Sequence, residues 1–177
     1  DRKLLTEVLN SRYADLAISP SVQNSLNLLQ NENTFTDVAA HQPYLFLGPL
    51  FNIYKISAAI SLAKQLKQAY PAYNFVPVYW MGSEDHDIDE VNNTCLFGKK
   101  IQWAGNDSGA VGRINSNVLN QAVQQLNDIT PGNALIPLLE EGLLKHKSIV
   151  TFTQYLVNEV FKNYGLVVIG PDDAGFI

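Results

Sequence analysis

The chain holds 177 residues, 46% hydrophobic and 16% charged, with a formal net charge of −5 at pH 7. That length is enough to bury one full core, and the acidic balance argues against a nucleic-acid or anionic-membrane surface. The single cysteine, Cys95, excludes an internal disulfide and a thiolate metal cage, and it fits a reducing, cytoplasmic compartment.

Leu4, Leu5, Val8, Leu9 and Leu16 recur at helical spacing over residues 3 to 17. Pro20 marks the break before a second amphipathic stretch reaching Leu29, and Gln30-Asn31-Glu32-Asn33 is a polar connector. Thr34 to Ala40 reads as a short strand. Gly48-Pro49 then opens the longest helix, from Pro49 to Tyr70, because proline suits a first helical turn. Lys55, Lys64 and Lys67 are expected to form its wet stripe. Asn74 to Met81 is continuously apolar, as a parallel strand covered on both faces is.

Thr94 to Phe97 and Ile101 to Trp103 flank Gly98-Lys99-Lys100 as a hairpin, in which Cys95 is expected to pack. Asn115 or Ser116 caps a helix carrying Val118, Leu119, Ala122, Val123 and Leu126, and Thr130-Pro131-Gly132 breaks it. A shorter helix runs from Ala134 to Leu144. Thr151 opens another, with Phe152, Tyr155, Leu156, Val160 and Tyr164 on one face and Gly165 at its end. Leu166 to Ile169 is a third buried strand. The order predicts a mostly parallel α/β sheet with helices against it. Residues 1–33 form a helical lead-in, 34–92 a βαβ unit with the site, 93–113 a hairpin and loop, and 114–177 the remaining helices and strand. No run of about eighteen apolar residues occurs, so no membrane-spanning helix is expected. A helical pattern begins at once, without a signal peptide, and the last strand sits close to Ile177, so the chain is expected to be a segment of a longer protein.

Ligands of open α/β sheets bind at the carboxyl ends of strands, and two polar clusters fall there. His41-Gln42-Pro43 precedes the long helix, whose first free amides attract anions, and Gly48 permits close backbone approach. The alternative is that His41 merely hydrogen-bonds its own loop. Glu84-Asp85-His86-Asp87, continued by Asp89 and Glu90, follows Met81. So many ionisable groups repel one another unless they face solvent, a cation or a basic substrate. Their spacing matches no metal motif, which favours a substrate amine held by Glu84 or Asp85 over a metal; the bland alternative is a solvated acidic turn. Arg113 has the fork geometry to grip a carboxylate, although most arginines in turns do not. His146 either faces the same cleft or lies on the surface, and Asp172 and Asp173 belong either to the site edge or to a turn. Trp80 and Trp103 are expected in the core.

Several long strings resemble the bacillithiol biosynthesis cysteine-adding enzymes. They are His41-Gln42 with Leu45-Phe46, Gly48-Pro49-Leu50 and Ile53-Tyr54-Lys55; Val76 to Met81 with Glu84 to Asp87 and Glu90-Val91-Asn92; Gly98 to Trp103; Gly109 to Arg113; and Tyr164 to Ile169. Ala39-Ala40 and Leu47 depart from that pattern, where a Thr-Gly pair and often a threonine stand. The resemblance implies a Rossmann-like three-layer core in a cytoplasmic ligase that joins cysteine to glucosaminyl malate. Beyond this chain it implies a coiled coil, a nucleotide site for ATP or ADP, and a homodimer through the coiled coil. The residues expected to do the chemistry are His41, Glu84, Asp85 and His86. Gln42, Gly48, Asp87, Arg113 and His146 are expected to bind substrate. An adenylate-forming nucleotidyltransferase-like domain and a non-catalytic anion-binding module are the alternatives.

Overall fold

The computed structural model describes residues 1–105, 109–171 and 174–176, so Asp172 and Asp173 lie outside the described residues. Two helices open the chain, α1 (Arg2–Tyr13) and α2 (Pro20–Leu28). Asp1 caps the first, accepting from the amides of Lys3 and Leu4, and Ser19 caps the second with Pro20 in its first turn. Strand β1 (Thr34–His41) runs into α3 (Leu50–Ala69), which returns the chain to β2 (Asn74–Met81). These strands pair in parallel over eight positions, from Thr34 opposite Asn74 to His41 opposite Met81. Past a short turn of helix, α4 (Ile88–Val91), comes the antiparallel hairpin of β3 (Asn93–Leu96) and β4 (Lys99–Gln102). Helices α5 (Asn120–Ile129), α6 (Leu135–Lys145) and α7 (Ile149–Phe161) lead to β5 (Val167–Ile169), parallel to β2. The sheet order is β1-β2-β5.

Alternation along β2 divides the core in two. Val76 and Val78 join Val167 and Ile169 against Leu9, Tyr13, Val22 and Leu26 of α1 and α2. Tyr79 and Met81 face the other way, with Ala39 and Val168, against α3 and the α5–α7 group. This is the expected three-layer α/β arrangement. Fully burying each such aliphatic or aromatic side chain contributes about 1.5–3 kcal/mol, so the β2 residues alone anchor both layers. Helix α7 starts with a reciprocal cap, in which Ser148 and Thr151 each satisfy the other's backbone amide. Among the described residues, no helix is long and apolar enough to cross a membrane.

Several expectations need correcting. The hairpin turn is Phe97-Gly98, both at positive φ, and strand β4 begins at Lys99. Such a two-residue turn matches the twist of antiparallel strands. Cys95 is exposed and does not pack. Val160 and Tyr164 are also exposed: Val160 lies on the outer side of α7, and Tyr164 follows the end of α7 at Phe161, in a 3-10 turn over Lys162–Tyr164 that leaves the helical face. Trp103 is buried, whereas Trp80 is 40% exposed beside the thinly covered edge strand β1. The α3 lysines Lys55, Lys64 and Lys67 are exposed as expected, and two of them also tie the helix to its neighbours. Lys55 donates to the Ala40 carbonyl, and Lys67 to the carbonyls of Pro71 and Tyr73 and to Asn74 Oδ1.

Candidate functional site at the carboxyl ends of the strands

His41 and Met81 end adjacent strands in register, so the two polar clusters emerge side by side. The amide of Gly82 donates to the His41 carbonyl across that gap, 3.0 Å away. Beneath it, the buried Tyr79 hydroxyl reaches the carbonyls of His41 at 3.2 Å and Gln42 at 3.0 Å. A side-chain contact then joins the clusters: Gln42 Nε2 donates to Asp85 Oδ2 at 2.6 Å. The other carboxylate oxygen of Asp85 accepts from the amides of His86 at 2.6 Å and Asp87 at 3.0 Å. These bonds, that from the Asp87 amide foremost and then that from Gln42, hold the Asp85 carboxyl below its usual range, so it stays ionised.

Beside this clamp is a shallow hollow of about 330 Å3 lined by Ala40, His41, Gln42, Trp80, Gly82, Glu84 and Glu90. Gln42 is nine-tenths buried, and its Oε1 has no hydrogen-bond partner. The His41 ring packs against Tyr44 and Phe51, at centroid distances of 4.6 and 5.1 Å, and Phe51 belongs to the first turn of α3. Burial, and then Lys55, lower the His41 pKa against the opposing pull of Glu90, which favours the neutral ring. Pro49 caps α3 without a side-chain hydrogen bond, and the Asn52 amide of the first turn donates to the Pro49 carbonyl at 2.9 Å.

The connection between these parts is strained. Phe46 and Leu47 both have positive φ, immediately before Gly48 at +66°. Left-handed backbone costs a non-glycine residue about 1–2 kcal/mol, and buried Tyr44, Leu45 and Leu47 hold it in place. A Cβ on Gly48 would lie 2.3 Å from Tyr44 Cβ, so this glycine is required by packing as well as by conformation. Gly48 therefore shapes the entry to α3 and is not among the residues lining the hollow.

The remaining expected residues fall into three groups. Glu84 lines the hollow, while His86 and Asp87 lie exposed on its acidic rim, where Asp87 caps α4 by accepting from the Glu90 amide. Arg113 is in a 3-10 turn whose neighbours are bound to the acidic loop: Val111 donates to the Asp85 carbonyl at 2.7 Å and Gly112 to that of Ser83 at 2.9 Å. His146 stands apart. It packs on Tyr155 at 5.0 Å and lines hollows with Asp15 and Leu16 that share no residue with the one at His41. Tyr44 was not singled out by sequence, Glu90 was read only as the tail of the acidic run and Trp80 only as core, and the Tyr44–Glu90 contact spans too many residues for a local pattern to reveal.

A larger hollow, about 530 Å3, lies toward the opposite strand ends among Ser25, Ile60, Lys64, Phe75 and Tyr164. Its Lys67 is already occupied by the three oxygens named above. The chemistry-bearing side chains converge on the smaller one. Among the described residues, no three His, Cys, Asp or Glu side chains are placed to hold a metal ion.

Comparison with known proteins adds a family. A profile described as bacillithiol biosynthesis BshC, N-terminal Rossmann-like domain, matches residues 1–176. Relatives bearing the provisional name cysteine ligase BshC include one from Flavobacterium johnsoniae, 43% identical over 98% of this chain and 34% of the relative. Another, from Flavobacterium psychrophilum, is 40% identical over 98% of this chain and 33% of its own length. A third, from Christiangramia forsetii, is 39% identical over 97% and 34% respectively. The chain thus spans about a third of the length of the curated relatives it matches.

Proposed function

The chain belongs to the bacillithiol biosynthesis BshC family, as its N-terminal Rossmann-like domain, and from that premise we propose that its strand-end site serves the joining of cysteine to glucosaminyl malate. The bond formed is an amide between an activated cysteine carboxyl and the aminosugar nitrogen; as it forms, the bond from the acyl carbon to the activated oxygen breaks, and that oxygen leaves with the activating group. The nitrogen must reach the acyl carbon as a free amine, and it loses a proton as the bond forms. Such chemistry needs a place for negative charge on the acyl oxygen and a group to take the amine's proton.

The Gln42–Asp85 contact carries the reading, because it joins the imidazole-bearing end of β1 to the carboxylate-bearing end of β2 beside one hollow. His41 and the first-turn amides of α3 suit the anionic side of the reaction. Glu84, from the wall of that hollow, attracts the substrate ammonium and accepts its proton. Asp85, ionised and clamped, holds the loop and adds negative charge. His86 and Asp87 extend the acidic rim, and Arg113, tethered through Val111 and Gly112, engages the malate carboxylates.

Full-length enzyme mixed with cysteine and glucosaminyl malate tests this by mass spectrometry of the coupled product. H41A and D85A, both still folded, are expected to abolish the product. Full activity in either would remove that residue from the site.

A further inference from the structure

We propose that Glu90, acting through Tyr44, is a positioning residue that holds His41 beside the hollow as a neutral ring with its single proton on Nε2, kept toward the Tyr44 oxygen until the acyl oxygen of a bound substrate takes it as acceptor. This rests on the ligase reading for the identity of the oxygen, but not for the state of the ring.

The Gln42 amide donates to His41 Nδ1 at 3.0 Å, so that nitrogen carries a lone pair. A neutral imidazole then has its proton on Nε2. Nε2 lies 3.4 Å from the Tyr44 hydroxyl, and that hydroxyl in turn donates to Glu90 Oε1 at 2.5 Å. A carboxylate only accepts, so Glu90 takes the Tyr44 proton and leaves an oxygen lone pair facing Nε2–H. The polarity of the chain is therefore set at its far end. Without the Glu90 charge, the Tyr44 hydroxyl is free to rotate and donate to Nε2, in competition with the ring's own proton.

At 3.4 Å the contact between Nε2 and Tyr44 is long, so it orients the N–H without consuming it. Phe51 also packs on the ring and limits its tilting. Glu90 also lines the hollow and is the carboxylate tied to His41, whereas Asp85 binds Gln42 and Asp87 binds the Glu90 amide. The acidic run thus divides its labour.

The test uses full-length enzyme with 15N-labelled histidine, read by long-range proton–nitrogen correlation. The three histidines of this chain are told apart, from one another and from any elsewhere in the full-length enzyme, by the single resonance sets lost in H41N, H86N and H146N. The expected wild-type pattern is a neutral His41 protonated on Nε2. E90Q, which leaves Tyr44 packed, should mix the tautomers and lower kcat about tenfold while changing KM less than twofold. Y44F, which removes the orienting oxygen and leaves no hydroxyl to compete for Nε2, should keep the Nε2 tautomer and lower kcat by a similar factor, and the double variant should be no worse than Y44F. Protonation on Nδ1 in the wild type, or E90Q and Y44F effects that add up in the double variant, would overturn the proposal. A wild-type enzyme without ligase activity would instead sink the functional reading, and the ring spectra would still decide this one.

Discussion

Substituting Gly112 by alanine probes the joint between the Arg113 turn and the acidic loop. A Cβ there would sit 2.6 Å from Ser83 Cβ, 2.9 Å from the Ser83 carbonyl oxygen and 3.2 Å from Val150 Cβ. Carbon atoms pack at about 3.5–4.0 Å, so the two segments must separate by roughly 1 Å. One of the blocking atoms is backbone, and it accepts the Gly112 amide at 2.9 Å, so separation weakens that bond too. Overpacking costs about 1–3 kcal/mol, and a lost hydrogen bond adds about 1 kcal/mol. For a domain of this size each kcal/mol lowers Tm by about 2–4 °C, giving a fall of roughly 5–15 °C in a far-ultraviolet circular dichroism melt. Hydrogen exchange at the Val111 amide, which donates to the Asp85 carbonyl, should accelerate in parallel. An unchanged Tm with unchanged Val111 protection would show that the turn and the acidic loop are not in contact as described.

Y79F removes the hydroxyl that reaches the carbonyls of His41 and Gln42, and should cost about 1–3 kcal/mol in a denaturant titration; a midpoint matching wild type would contradict that placement. Q42L deletes the bond to Asp85 Oδ2, so the Asp85 pKa should rise toward the ordinary carboxylate value in a carbon-detected NMR titration, and an unmoved pKa would argue against the clamp. Asp37 has a carboxyl pKa raised by burial, and its Oδ2 is buried without a partner. The folded state therefore holds that proton more tightly than the unfolded chain, and stability is lost as pH rises through the carboxyl range. D37N should accordingly raise Tm at pH 7, with the gain vanishing below roughly pH 4; a lower Tm at pH 7 would refute the sign.

Strand β2 was legible in full, from Asn74 to Met81, because its apolar run is bounded by Pro71 and Gly82 and needs no distant partner to be recognised. The start of α3 was legible for a similar reason, since Gly48-Pro49 acts locally. Surface exposure was not. Trp80 alternates toward a face that α1 and α2 cover over β2 and β5 but leave thin near β1, which depends on where helices dock rather than on strand periodicity. Tyr164 kept helical spacing after the helix had already ended at Phe161. At the site, the placement of His41 and Asp85 at neighbouring strand ends followed from topology. The Tyr44–Glu90 bond depends on where α4 turns back, which no spacing rule encodes.

The central claim is that the ends of β1 and β2 serve one small molecule together. Amide and ring resonances of the full-length enzyme, followed during titration with glucosaminyl malate, test it most directly. The account predicts that the His41 ring and the amides of Gly82, Asp85 and Gly112 shift along one saturation curve. Shifts at His41 without any at Asp85, or shifts confined to the hollow around His146, would contradict it.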